Sequence, residues 1–209
     1  MDDCLLLDAG SGGRASQRLI AQCFMRHFAN PLLERMDDAA LLTDITGPLA
    51  MSTDSYTVTP LFFAGGSIGS LAVHGTVNDV AMLGARPRYL SCGFILEEGL
   101  PFETLEKVVT SMAHTAREAG IAIVTGDTKV VTRGAADKIF INTAGIGAIP
   151  HHIQWGADQI RVGDVILVSG TLGDHGATIL NLRESLGLDG DLQSDCAVLT
   201  PLIQTLRDI

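Results

Sequence analysis

Residues 121–131 have the sequence IAIVTGDTKVV, a run that begins as a buried β-strand and then carries both signs of charge. The first four residues are apolar and partly β-branched, which is typical of a strand in a protein core. Thr125 and Gly126 interrupt the run, and Asp127 and Lys129 follow. Two interpretations stay open: a solvated turn with a surface lysine, or a strand end that presents an acid and a base to a ligand.

The hydrophobic pattern on either side of this run alternates between strand-like and helix-like segments. Strands are predicted at residues 36–42, 49–63, 88–98, 121–131, 138–149 and in the first part of 162–176. Helices are predicted at residues 14–28, 68–83, 101–120, 177–187 and 196–209. Because several strands follow one another directly, we predict an α+β fold with a mixed sheet flanked by helices.

Composition and charge exclude several classes of protein. The chain has 209 residues, 18% of them charged, and a net charge of −10, whereas a protein that binds nucleic-acid backbones needs a basic surface. The four cysteines form no closely spaced pair, which argues against zinc, and Cys23 and Cys92 are expected in the core. No secretory leader or membrane-spanning run is recognisable. We therefore expect no nucleic-acid or membrane partner and a cytoplasmic location.

Five aspartates lie beside or within apolar segments: Asp37, Asp38, Asp54, Asp79 and Asp127. Burying an ionised carboxylate without a partner is unfavourable by several kcal/mol. Few basic residues are near them in sequence, so a divalent cation is the expected partner, and Mg²⁺ prefers oxygen ligands of this kind. Asn78, next to Asp79, offers another oxygen ligand. For each acid taken alone, a helix cap or a hydrogen-bond acceptor in the core remains an alternative.

Two glycine-rich turns precede predicted helices, GSGG at residues 10–13 and SGTLGDHG at residues 169–176. The N-terminus of a helix attracts anions through its free backbone N–H groups. Neither turn matches the Walker pattern or the dinucleotide fingerprint, so each alone is a weak indication of a phosphate site.

Six segments taken in order carry a resemblance: SGG (11–13), DDAALL (37–42), STDSY (52–56), GTVNDVAMLGARP (75–87), GDTKVV (126–131) and VSGTLGDHG (168–176). They resemble the HypE family of hydrogenase maturation proteins, in the superfamily of aminoimidazole ribonucleotide synthetase and selenophosphate synthetase. The resemblance implies a PurM-like N-terminal ATP-binding domain over residues 1–150 and the start of a C-terminal α/β domain over residues 151–209. It also implies a homodimer in which the sheets of two subunits form a barrel.

The resemblance further implies a reaction in [NiFe]-hydrogenase maturation. HypE-like proteins receive a carbamoyl group from HypF on a C-terminal cysteine and use ATP and Mg²⁺ to dehydrate the thiocarbamate to a thiocyanate. The cyano group then passes to iron on the HypC–HypD complex. Two alternatives are a dimerisation and docking module without turnover, and a phosphotransferase similar to selenophosphate synthetase.

The resemblance assigns roles to individual residues. The implied magnesium ligands are Asp38, Asp54, Asp79 and Asp127. The implied nucleotide-binding residues are Gly10, Ser11, Gly12, Gly13, Asn78, Gly126 and Arg133. The implied catalytic residues are Lys129, Asp127 and His175, although His175 has a helix cap or a surface position as an alternative. Residues 206–209 are LRDI, without the family's terminal cysteine, and we expect the 209-residue chain to be inactive alone.

Overall fold

Four strands form the central sheet of the computed structural model, which describes residues 4–188 and 191–208. They are β1 (Leu49–Tyr56), β4 (Arg86–Glu97), β5 (Ala122–Val131) and β6 (Ile139–Ala148), in the spatial order β1-β6-β4-β5. β4 pairs parallel with β5, and β6 pairs antiparallel with both β1 and β4. Two short strands, β2 (Phe62–Phe63) and β3 (Gly66–Ser67), pair separately. The predicted mixed sheet is confirmed.

Helices cover one face of this sheet. The first is α1 (Gly13–Leu19), which continues through a π-helical stretch (Ile20–Met25) into α2 (Arg26–Phe28). The others on this face are α3 (Ile68–Met82) and α4 (Phe102–Glu118). A parallel strand pair requires a crossover connection, and α4 supplies it between β4 and β5. Among the residues described, no helix is both long and apolar enough to span a membrane.

The helix α3 is buried between the sheet and α4, as its content of apolar and small residues predicts. Ser67 and Ser70 form a capping box at its N-terminus, in which the hydroxyl oxygen of each serine accepts a hydrogen bond from the backbone N–H of the other. Gly69 permits close contact between the helices, since a Cβ there would lie 2.3 Å from the carbonyl oxygen of Val108. The core between helices and sheet includes Cys23 and Cys92, as predicted.

The opposite face of the sheet carries no helix in the described part of the chain. Its side chains alternate with those of the core, and it includes Met51, which is 73% exposed, with Leu49 and Ile95 at 47% and 43%. The strand register places Asp127 beside Gly93 and Lys129 beside Ile95, so both charged residues belong to this open face. An uncovered sheet face with several large apolar side chains indicates a surface that another molecule covers.

The strand predicted at residues 121–131 is confirmed, because β5 runs unbroken from Ala122 to Val131 and pairs with β4 past the glycine. The solvated turn that stayed open as an alternative does not form there. One prediction about a strand needs correction. The strand predicted at residues 36–42 is absent, and this segment is irregular and largely exposed. Asp44 holds the end of the segment through hydrogen bonds from Arg88 and Tyr89 at the start of β4.

Residues 157–208 contain α5 (Asp174–Glu184) and α6 (Thr200–Arg207), which confirms the two helices predicted there. The strand predicted within 162–176 does not form. Its apolar residues are exposed, with Val165, Ile166 and Leu167 at 82–88%. No strand of the described residues lies beside this segment, so its backbone groups have nothing to pair with.

Candidate functional site

A cavity of about 600 Å³ lies beside the edge strand β5. Its walls come from α1, the π-helical stretch, residues 32–39 and β5. Five of the predicted site residues line it: Gly10, Gly12, Asp38, Gly126 and Asp127. Segments that are distant in sequence are therefore assembled around one space whose volume suits a small-molecule ligand.

Glycines determine the shape of the cavity. Gly10 lies against β5, where a Cβ would approach the backbone nitrogen of Val130 to 2.2 Å. Gly12, with φ +82°, precedes α1 and donates its N–H to the Ser16 hydroxyl at 2.8 Å. Gly126 lies against β4, since its Cβ would be 2.2 Å from the Cys92 carbonyl oxygen. The glycine segment thus brings the N-terminus of a helix to the cavity, which favours an anionic ligand.

The charged groups at the cavity are carboxylates. Asp37, Asp38 and Asp127 line it, together with an apolar floor that includes Phe24 and Met36, and no lysine or arginine is among the lining residues that the structure describes. A polyphosphate would meet net repulsion here unless divalent cations neutralised it. Carboxylates beside a helix N-terminus and an apolar wall therefore fit a nucleotide with bound magnesium, but not a free polyphosphate.

The other predicted magnesium ligands lie at the opposite edge of the sheet. Asp54 is on β1, and Asp79 on α3 accepts a hydrogen bond from Ser52 at 2.9 Å. Since β1 and β5 are separated by two strands, the two groups of aspartates lie roughly 14 Å apart across the sheet. Among the described residues, no three His, Cys, Asp or Glu side chains lie close enough to hold one metal ion.

The burial that the sequence suggested for these aspartates is wrong. Asp37, Asp38, Asp79 and Asp127 are exposed, and only Asp54 is half-buried. Asp54 and Asp127 lie on the edge strands β1 and β5, Asp79 lies on an exposed side of α3, and Asp37 and Asp38 lie in an irregular segment. The cost of burial therefore gives no argument for a cation, whereas the charge of the cavity does.

Asp54 belongs to a chain of hydroxyl groups between β1, α3 and β6. Tyr56 donates to its Oδ2 at 3.2 Å, and the Tyr56 oxygen is 3.1 Å from Thr76 Oγ1. Thr76 Oγ1 is in turn 2.6 Å from Thr143 Oγ1. Burial, followed by the nearby Asp54 charge, raises the pKa of Tyr56 to about 12, although the hydroxyl of Thr76 opposes this shift. Tyr56 therefore stays protonated and acts as a hydrogen-bond donor. The sequence analysis did not single out these hydroxyls, and their only signal is the spacing of Asp54 and Tyr56 on one strand face.

The remaining predicted residues lie elsewhere. Lys129 is exposed on the open face of the sheet, two residues beyond Asp127. Both polar atoms of the Asn78 amide are bonded to the C-terminal region, to the Ala197 carbonyl at 2.9 Å and the Leu199 N–H at 3.0 Å. This amide therefore joins two parts of the chain rather than facing the cavity.

Arg133 and His175 are also outside the cavity. Arg133 lies beside Gly99 in a separate depression at the end of β4. His175 begins the first turn of α5, with Nδ1 3.0 Å from the Ser194 hydroxyl and its ring 5.2 Å from that of Phe63. These contacts join α5 to neighbouring segments, and the His175 ring does not cap the helix.

Residues 36–149 match the family described as AIR synthase related protein, N-terminal domain. The chain belongs to this family, and its mixed sheet with helices on one face is the PurM-like fold. Within the family the sequence is 71% identical over 206 residues to the carbamoyl dehydratase HypE of Escherichia coli, covering 96% of this chain and 61% of that protein. The predicted resemblance to HypE is thereby confirmed.

Two solved structures support the same relationship. A crystal structure of the hydrogenase maturation protein HypE in complex with ATP has a TM-score of 0.94 and 65% identity, covering 97% of this chain and 60% of that one. A crystal structure of a HypE–HypF complex has a TM-score of 0.76 and 49% identity, covering 91% and 61%. The chain spans about three fifths of the length of the curated relatives that it matches.

Proposed function

We propose that this chain forms the ATP-binding part of a carbamoyl dehydratase that acts in [NiFe]-hydrogenase maturation. The observation that carries the proposal is the cavity at β5, in a chain that is 71% identical to the E. coli carbamoyl dehydratase HypE. The glycine segment, the carboxylates and the apolar floor meet at this cavity, and together they provide what the binding of a nucleotide requires.

In the proposed reaction, a protein-bound thiocarbamate, R–S–C(=O)–NH₂, is converted to the thiocyanate R–S–C≡N. ATP supplies the phosphoryl group that turns the amide oxygen into a leaving group, so the oxygen departs in phosphate and the two nitrogen-bound hydrogens depart as protons. Phosphoryl transfer depends on positioning and charge neutralisation rather than on covalent catalysis by the protein. We assign positioning of the phosphates to residues 10–13 and to the helix N-terminus that follows them.

Magnesium binding is proposed for the aspartates. The argument is the charge of the cavity, where Asp37, Asp38 and Asp127 leave no site for a phosphate without cations. Asp127 holds the central role, since it is the carboxylate on β5 itself. Lys129, exposed on the same strand, would act as a cation at the rim.

A homodimer formed through the open face of the sheet is proposed for the same protein. Met51, Leu49 and Ile95 are the apolar side chains that a second copy would cover, and two four-stranded sheets facing each other can close into a barrel that leaves no free edge. In that dimer each sheet edge of one copy meets an edge of the other. The aspartates of β1 and those beside β5 then contribute to shared sites.

The proposed protein partners are HypF and the HypC–HypD complex. The structure of a HypE–HypF complex, to which this chain is similar, supports the first. We also propose that residues 151–209 begin a second α/β domain, because the exposed apolar residues of 162–168 form no part of the main core, whose residues lie between Leu5 and Ile141.

The nucleotide site is tested by isothermal titration of the chain with a non-hydrolysable ATP analogue, with and without Mg²⁺. We expect Mg²⁺-dependent binding that Asp127→Asn weakens by roughly tenfold or more, since a lost contact to a charged group costs about 1.5–3 kcal/mol. The matched control is Asp158→Asn, at an exposed aspartate far from the cavity in sequence. Absence of binding, or equal loss in the two variants, would reject the site.

The dimer is tested by sedimentation equilibrium. We expect a dimer that Met51→Asp converts to a monomer, because a charge would be buried in the interface. Leu167→Asp serves as the control, since Leu167 is exposed but lies outside the sheet. A monomeric parent chain with its fold intact would contradict the proposal.

A further inference from the structure

The acidic wall of the cavity belongs to a segment with few attachments to the rest of the protein. Residues 31–43 include Asp37 and Asp38, which line the cavity. Among the described residues, the hydrogen bonds of this segment reach no further than Asn30. Its partly buried Leu33 packs against the core. The positions of the two carboxylates therefore depend largely on how the ends of the segment are held.

The amide of Asn30 makes four hydrogen bonds at the first of these ends. Its Oδ1 accepts from the backbone N–H groups of Leu32 and Leu33, both at 3.1 Å, and closes the turn that follows α2. Its Nδ2 donates to the backbone carbonyls of Phe28 at 2.9 Å and Ile123 at 2.8 Å. These bonds use the full capacity of an amide side chain. One side chain thus joins the start of the acidic segment to the edge of β5.

The attachment on β5 coincides with an irregularity of the sheet. Leu90 of β4 pairs with Ile123, but the next residue, Ser91, pairs with Thr125, so that Val124 is an extra residue in β5. Ile123 and Val124 are both buried, whereas consecutive side chains of a regular strand point to opposite faces. This is a β-bulge, and it exchanges the two faces of the strand beyond it.

The bulge determines the face on which Asp127 lies. In an unbroken strand, Asp127 would lie on the same face as the buried Ile123, because the two are four residues apart. With the extra residue, Val130 takes the core face and is 5% exposed, while Asp127 and Lys129 are exposed. The carbonyl that Asn30 bonds immediately precedes this extra residue. Asn30 therefore holds β5 at the point on which the direction of Asp127 depends.

We propose that Asn30 is a positioning residue of the nucleotide site, which keeps the acidic segment and Asp127 at a fixed separation across the cavity. This rests on the proposed function, in which the cavity binds a nucleotide. Asn30 itself lines no part of the cavity among the described residues and acts through the two walls that it joins. Without its bond to Ile123, the turn after α2 is no longer tied to the strand, and the two walls move independently. The loss then falls on affinity for the ligand.

The test is titration with a non-hydrolysable ATP analogue and Mg²⁺, comparing Asn30→Ser with Asn181→Ser. A serine hydroxyl can still close the turn, but serine is one bond shorter than asparagine and does not also reach β5. We expect Asn30→Ser to weaken binding by roughly three- to tenfold, the effect of one lost hydrogen bond. Asn181 accepts a bond from the Leu188 N–H at 3.2 Å, at the end of α5, and Asn181→Ser should bind as the parent chain does.

Two further measurements separate positioning from folding. Ile139→Val, in the core at the start of β6, should destabilise the fold by an amount similar to the loss of a hydrogen bond and leave affinity unchanged. Asp127→Asn should weaken binding less in the Asn30→Ser chain than in the parent chain, because the carboxylate is then no longer held against the ligand. Such coupling is expected if the two residues act on the same contact.

The outcomes are distinguishable. If the parent chain does not bind the analogue, or if Asp127→Asn binds it as well as the parent does, the nucleotide site of the proposed function fails, and this inference fails with it. If Asp127→Asn weakens binding but Asn30→Ser behaves like Asn181→Ser, only the inference fails. Equal losses of affinity in Asn30→Ser and Ile139→Val, or additive effects of Asn30→Ser and Asp127→Asn, would likewise overturn it, because Asn30 would then support the fold and not the site.

Discussion

The molecule has similar apolar runs in two regions, residues 49–149 and residues 157–208. In the first region these runs form buried strands, and in the second a comparable run stays exposed and forms no strand. In β4, Leu96 is fully buried, and the strand lies between β5 and β6. In the run at 165–168, Leu167 is 82% exposed, and no strand of the described residues pairs with it. The two runs are alike in composition, so the difference lies in the neighbours. A strand forms where an edge with free N–H and C=O groups is available to it.

The second region is nevertheless anchored to the first by specific contacts. Arg207 is buried and donates to the carbonyl oxygens of Gly84 and Ala85 at 3.1 and 2.6 Å, just past the end of α3. The amide of Asn78 holds residues 197–199 from the middle of the same helix. The second region is therefore attached through these polar groups and through a few buried apolar side chains, including Ile179 and Ile203, whereas the first is held together by a large apolar core.

The largest expected difference between the regions is in thiol reactivity. Cys92 is 3% exposed in the core, and burial raises its thiol pKa strongly, whereas Cys196 is half-buried in the second region. Labelling with a thiol reagent at pH 8, followed by mass spectrometry of peptides, should modify Cys196 at least roughly a thousandfold faster. The reason is that exposure of Cys92 requires most of an unfolding free energy of about 5 kcal/mol or more. Comparable rates would show that the core opens as readily as the second region.

Two leucine-to-alanine substitutions, one in each region, should differ almost as clearly in their effect on the free energy of unfolding. Leu96→Ala is expected to lower the free energy of unfolding by about 2–5 kcal/mol through the cavity it leaves. Leu167→Ala should change it by less than about 0.5 kcal/mol. Urea denaturation followed by circular dichroism measures both. A large effect of Leu167→Ala would mean that this side chain is covered in solution.

Glycine substitutions give a smaller contrast. In Gly126→Ala, the new Cβ meets the carbonyl oxygen of Cys92 at 2.2 Å, and the strands must separate. We expect a loss of about 1–3 kcal/mol in the free energy of unfolding. Gly170→Ala in the second region has no heavy atom within 4 Å of its Cβ and should be neutral. If Gly126→Ala is also neutral, the close pairing of β4 with β5 is not rigid.

The smallest expected effect concerns Arg207, whose side chain attaches the second region to the end of α3. Arg207→Met keeps much of the side-chain volume but removes the bonds to Gly84 and Ala85, and should cost about 1–2 kcal/mol. Hydrogen exchange should accelerate in residues 194–208 and stay unchanged in β4 and β6. Arg161→Met, at an exposed arginine, is the control. Acceleration in the sheet as well would show that the two regions unfold as one unit.

The sequence predicts most of the core and less of the site. The apolar, small-residue composition of residues 68–83 identifies α3. Periodicity identifies α4, β1, β4 and β6, because each of these elements buries one face. It fails for residues 36–42 and 162–168, since a free strand edge is a property of the folded chain. Six segments resembling a known family identify the cavity residues Gly12, Asp38 and Asp127 in advance. The chain of hydroxyl groups could not be predicted in this way, because Tyr56, Thr76 and Thr143 approach one another only after β1, α3 and β6 have packed.

The separation of the aspartates across the sheet has a genetic consequence in the proposed dimer. There, Asp54 of one subunit and Asp127 of the other serve the same nucleotide site. Two alleles, one with Asp54→Asn and one with Asp127→Asn, would each be defective alone. Expressed together they would form mixed dimers in which one site carries both lesions and the other carries none. Two non-functional copies of the gene would therefore complement each other within the protein they encode.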